Sequence, residues 1–87
     1  MDLLTLRQQI NATDDQLVPL FLARMQLSAQ VADYKRENGL PVRDEKREAE
    51  LLDRLSAQAG DLAPYVRALY EEILTLSRAY QEELLKK

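Results

Sequence analysis

Arg7, Arg24 and Lys35 stand on or beside one apolar stripe of the first long helical segment, where cations can hold an anion against a packed surface. The stripe reads Leu3, Leu6, Ile10, Thr13, Leu17, Leu20, Arg24, Leu27, Val31 and Tyr34, in alternating steps of three and four. That is the spacing of a helix packing against other helices. Arg24 takes a position where Leu is expected. An unpaired buried guanidinium is costly, so something anionic should meet it. Arg24, Ser28, Val31 and Lys35 fall at steps of four, three and four, which lines them along one helical face. Arg24 and Lys35 are then ~16–17 Å apart along the axis, and their long side chains can grip a small-molecule ligand between them. Arg7 lies ~25 Å from Arg24 on the same rod, so it can join that ligand only from a second chain.

Two further segments carry polar groups at helical spacing. Pro41-Val42-Arg43-Asp44-Glu45-Lys46-Arg47-Glu48 opens a second helix, and Asp44, Arg47 and Glu48 share one of its faces. Asp44 and Glu48 repel each other there unless a cation or a ligand donor intervenes. On their own they read as an N-cap and a first-turn acid favoured by the helix dipole. Ser77 and Gln81 are one turn apart on a third helix, and alone they read as surface polar residues.

Composition narrows the chemistry. The 87 residues contain no cysteine and no histidine, which removes disulfides, thiol nucleophiles and imidazole acid–base catalysis. Carboxylates remain as the only strong metal ligands, and neither a metal nor a cofactor is expected. A net charge of −3 argues against a general nucleic-acid binder. No apolar run approaches the ~20 residues of a membrane span, and Met1-Asp2 begins no signal peptide. The expectation is a soluble cytoplasmic protein.

The elements that must position these residues are helical throughout. The chain is rich in Leu, Ala, Glu, Arg and Gln, has two glycines and three prolines, and shows no strand-period run. It reads as a single all-α domain over residues 1–87, with three helices at about 2–37, 44–58 and 61–86. Asn38-Gly39 and Pro41 end the first, Asp44 caps the second, and Pro64 sits in the first turn of the third. Pro19 is the conflict, since inside a helix it removes the hydrogen bond to the Asp15 carbonyl. A kink is expected there, not a break into two helices, because the apolar phase passes Pro19 without a slip. A helix of ~36 residues would be ~54 Å long and overhang any globule its own two partners could make. Its exposed stripe needs another chain, which predicts an intertwined homodimer.

Taken in order, these residues resemble the small all-α chorismate mutases, three-helix domains that form intertwined dimers. The resemblance rests on Leu6-Arg7-Gln8-Gln9-Ile10 with Asp14 or Asp15 a turn later, Ala23-Arg24, and Lys35. It continues through Pro41-Val42-Arg43-Asp44-x-x-Arg47-Glu48 and closes on Ser77-x-x-x-Gln81, covering nearly the whole chain. It implies conversion of chorismate to prephenate for phenylalanine and tyrosine biosynthesis. It also implies roles: Arg24 and Arg7 of the partner subunit on the two substrate carboxylates, Arg47 adding charge beside them, and Lys35 and Gln81 on the ether oxygen. Glu48 would hold the ring hydroxyl with Asp44 nearby, Ser77 would be a lesser polar contact, and Val31 and Leu74 would be apolar walls. On this reading Lys35, Gln81, Arg24 and Glu48 carry the catalysis.

Two rivals are weighed against it. An isochorismate pyruvate-lyase resembles the same fold, but the complete Arg43-Asp44-x-x-Arg47-Glu48 set favours the mutase. A non-catalytic helical dimerisation or regulatory module needs the apolar stripe and not the cations, and Arg24 in the stripe argues against it. Pro19 departs from the uninterrupted first helix of the family and puts the reach of Arg7 in question.

Overall fold

A computed structural model describes all 87 residues. Three helices account for most of them: α1 (Leu3–Glu37), α2 (Glu45–Ser56) and α3 (Ala63–Leu85), with a 3₁₀ turn (Gly60–Leu62) before α3. Their ends follow the chemistry of the termini. Asp2 caps α1 by accepting the Thr5 N–H at 2.8 Å. That backbone hydrogen bond, and then the bond of the Thr5 side chain, hold the Asp2 carboxyl below its ordinary value. The cap therefore weakens as pH falls through that lowered titration. Asn38 closes α1 and Gly39 follows at φ +65°, a conformation that favours glycine. Asp44 caps α2 through the Arg47 N–H at 3.0 Å.

The second and third helices differ from expectation at their junction. α2 stops at Ser56, short of Gln58, and the Ser56 hydroxyl donates back to the Leu52 carbonyl. The chain then turns through Gly60 at φ +56°, and residues 60–62 form the 3₁₀ turn, so the α-helix starts at Ala63 and not at Asp61. Pro64 lies in the first turn of α3, as expected. α1 passes Pro19 as one continuous helix. The alternative of four short helices falls.

α3 is the central element, packing against both α1 and α2. Past its first turn, α1 is covered only in its second half, at Phe21, Arg24, Met25, Ser28, Ala29, Ala32 and Lys35, where Ser28 meets Ser77 and Arg24 meets Tyr70 of α3. This stripe is distinct from the Leu3–Tyr34 stripe, which is expected to meet another chain. At ~100° per residue it lies roughly a quarter-turn around α1 from the Leu3–Tyr34 stripe, and only Arg24 belongs to both. At the middle of the covered stripe, the small Ser28, Ala29 and Ala32 suit a close approach of α3, with Ser28 and Ala32 buried.

The Leu3–Tyr34 stripe stays open within the chain. Its large apolar residues are all at least 43 % exposed. The molecule is correspondingly extended, 54 × 27 × 14 Å with a radius of gyration of 16.1 Å, against about 12 Å for a compact chain of this length. Only Ala32, Leu51 and Leu74 are buried apolar residues. No helix is long and apolar enough to cross a membrane.

Candidate active site

A cavity of about 300 Å³ opens between the second half of α1, the start of α2 and the second half of α3. Small-ligand sites begin at about this size. Arg24, Val31 and Lys35 face it from α1, Asp44, Arg47 and Glu48 from the start of α2, and Leu74, Ser77 and Gln81 from α3. Three sequence-distant segments thus bring nine expected residues to one place. Arg7 is the exception: it is exposed on the overhanging half of α1 and does not line the cavity. Ser28, Leu51, Leu74, Ser77 and Gln81 also line the cavity, so five of the six buried residues of the chain belong to its wall.

The cations are held without being neutralised. The Arg24 guanidinium carbon lies 5.9 Å from the centroid of the Tyr70 ring, a cation–π distance. Within the chain, then, an aromatic face meets Arg24 in place of the expected anion. Lys35 Nζ donates to the Val42 carbonyl at 2.6 Å, which anchors the ammonium at the loop before α2. None of Arg24, Lys35 and Arg47 has a carboxylate within 4.0 Å, since the ion pairs of the chain lie elsewhere. Three uncancelled positive charges therefore border one cavity. An anion entering it is attracted by all three, most strongly by the half-buried Arg24 and Lys35, since Arg47 is exposed.

The two acids have separate partners, which resolves their expected repulsion. Asp44 is turned to the Arg47 backbone N–H as a cap. Glu48 accepts from Arg78, whose Nη1 lies 2.6 and 2.7 Å from its two carboxylate oxygens. The Arg43 Nε is 3.7 Å from the same carboxylate. The sequence reading missed Arg78. A signal for it was present: Leu74, Ser77, Arg78 and Gln81 fall at i, i+3, i+4 and i+7, one face of α3.

A buried hydroxyl–amide chain closes the inner end. Ser28 Oγ and Ser77 Oγ are 2.8 Å apart across the α1–α3 contact, and Gln81 Nε2 donates to Ser77 Oγ at 3.2 Å. Gln81 Oε1 is buried and has no partner in the chain. Neither Ser77 nor Gln81 is a surface residue, which overturns the plainer reading of both. An unpaired buried carbonyl oxygen is unfavourable, so this amide is poised for a further hydrogen bond.

Comparison with known proteins places the chain in a family. The family model for chorismate mutase type II matches residues 6–82, which takes in every expected site residue. The chain belongs to the chorismate mutase type II family. A bifunctional chorismate mutase/prephenate dehydratase of Escherichia coli strain K12 is 38 % identical over 87 residues, covering 97 % of this chain and 22 % of that protein. The protein of the same description from Buchnera aphidicola subsp. Schizaphis graminum is 35 % identical over 89 residues, covering 99 % and 23 %. One from Enterobacter agglomerans is 36 % identical over 88 residues, covering 98 % and 23 %. This chorismate mutase type II domain thus spans less than a quarter of the length of the curated relatives it matches.

Proposed function

We propose that this chain converts chorismate to prephenate in phenylalanine and tyrosine biosynthesis, as a cytoplasmic intertwined homodimer whose two sites each use residues of both subunits. The observation that carries the reading is the set of three uncancelled cations, Arg24, Lys35 and Arg47, around a cavity walled by Val31, Leu51 and Leu74. The reaction is an internal rearrangement: the ether C–O bond breaks as a C–C bond forms, and no proton or electron leaves the substrate. It asks for a flexible dianion held in its reactive conformer, with positive charge where negative charge develops.

Arg24 and Arg47 suit the carboxylates, because a planar guanidinium binds both oxygens of one carboxylate at once. Tyr70 beneath Arg24 limits where that fork can swing. Lys35 suits the ether oxygen. Bond breaking polarises that oxygen, so a fixed ammonium favours the transition state over the ground state. Its bond to the Val42 carbonyl uses one of three N–H donors and leaves two. Gln81 supplies an amide on the same oxygen. One N–H of its Nε2 is held by Ser77 Oγ, which fixes the amide, and the second N–H is left to donate. Glu48 holds the ring hydroxyl, with Asp44 beside it.

The dimer follows from what one chain leaves uncovered. The open stripe of α1 runs beside the cavity, through Arg24, Leu27 and Val31, so a second α1 laid on it also covers the site. Arg7 of the partner subunit then completes the grip on the carboxylates. Loss of chorismate absorbance on adding the purified chain tests the activity, and the same assay with isochorismate tests the lyase alternative. Turnover of chorismate alone is the expected result; turnover of isochorismate alone would replace the mutase reading.

A further inference from the structure

Arg78 has no part in the scheme above, yet it makes the tightest ion pair bordering the cavity. Its side chain is 22 % exposed and that of Glu48 15 %, so the pair is largely out of water. One terminal nitrogen, Nη1, bridges both Glu48 oxygens, while Nη2 lies 3.4 Å from Thr75 Oγ1 on the preceding turn of α3. Thr75 in turn donates to the Glu71 carbonyl, so the fork is steadied along its own helix.

Glu48 poses a problem that this pair answers. Apart from Asp44, which is turned to the Arg47 backbone N–H, the cavity gathers positive charge for an anion, and an unpaired Glu48 carboxylate in its wall repels that anion at short range. A single bridging nitrogen also leaves each Glu48 oxygen with lone-pair capacity, so the carboxylate can still accept a neutral hydroxyl. Arg43 Nε also lies 3.7 Å from this carboxylate, but its side chain is 57 % exposed, so water screens its charge.

We propose that Arg78 is a positioning residue of this site: it cancels the charge of Glu48 and fixes its carboxylate to accept a substrate hydroxyl beside a bound dianion. The inference rests on the chorismate reading and adds a role on α3 to it. Because the charge of a dianion changes little between ground and transition states, Arg78 acts mainly on binding.

The test is the effect of Arg78→Met in two backgrounds. With Glu48 present, KM for chorismate should rise about tenfold or more while kcat changes less than about threefold, the pattern of lost uniform binding. With Glu48→Gln, which removes the charge needing compensation, the same change should alter KM less than about threefold. Arg78→Lys should restore most of the loss, since it keeps the charge. Circular dichroism checks folding, and if Arg78→Met does not fold, Arg78→Gln takes its place. Equal KM effects in both backgrounds, or a fall in kcat with KM unchanged, would overturn the proposal while leaving the mutase reading intact. A wild-type chain that neither turns over chorismate nor binds prephenate in calorimetry overturns both.

Discussion

Lys35 Nζ sits 2.6 Å from the carbonyl oxygen of Val42, seven residues along the chain and across the turn that ends α1. This bond ties the end of α1 to the segment that starts α2, with Gly39 making the left-handed step between them. A flexible four-carbon side chain is thereby held in one place before any ligand arrives. Preorganisation of this kind is what makes a charge effective at a developing oxyanion.

Replacing Lys35 with Ala should therefore lower kcat by at least ~10²–10³, the scale seen when one preorganised donor is removed from an oxyanion site. Steady-state rates of chorismate loss measure it. Near wild-type turnover in Lys35→Ala would sink the role given to this ammonium.

Gln81 leads to a prediction about pH. The chain has no histidine, and the amide of Gln81 donates without needing to gain a proton. Activity should be nearly constant through the interval where only an imidazole would ordinarily titrate, about pH 5 to 8. Gln81→Glu should change that. A carboxyl group donates only when protonated, so activity should be kept at acidic pH and lost as pH rises through its titration. A pH–rate profile that stays flat in Gln81→Glu argues against donation from position 81.

Arg7 and Arg24 should complement each other across chains. Arg7→Ala and Arg24→Ala homodimers are each expected to be nearly inactive, whereas mixing them should restore part of the activity, because some mixed dimers keep one intact site. Chain exchange is followed separately with a tagged subunit. Proven exchange without recovery would remove Arg7 from the shared site.

The open stripe yields a test of assembly. Leu20 is 68 % exposed in the chain and lies outside the cavity, so Leu20→Glu alters neither the self-packed stripe nor the site wall. It should split the dimer, as read by sedimentation, and lower activity in proportion at micromolar concentration. A Leu20→Glu protein that stays dimeric and fully active would move the interface elsewhere.

The helices and most of the site were legible because their signals are local. Asp2, Gly39, Asp44 and Pro64 act through their own backbone neighbours, and Arg24, Lys35, Glu48 and Gln81 stand at spacings that a helix turns into faces. What stayed hidden was relational. Ser28, Ala29 and Ala32 carry little hydrophobic signal, so the stripe α1 gives to its own chain was overshadowed by the leucines beside it. The Arg78–Glu48 pair joins residues 30 apart, and no local rule links them. The junction after α2 was misjudged because Gln58 is an adequate helix former, whereas the turn is set by Gly60 and the Ser56 hydroxyl.

That five of the six buried residues line the cavity has a bearing on how this chain can change. Larger enzymes keep a packing interior apart from their reactive surface, and mutations that weaken one can be offset in the other. Here Leu51, Leu74, Ser28, Ser77 and Gln81 serve both at once. Substitutions at these five positions alter the cavity and the helix packing together, so a change made there for new chemistry must also be one the fold survives. For a designer, the first stabilising changes belong on the outer faces of α2 and α3, before any residue of the cavity is touched.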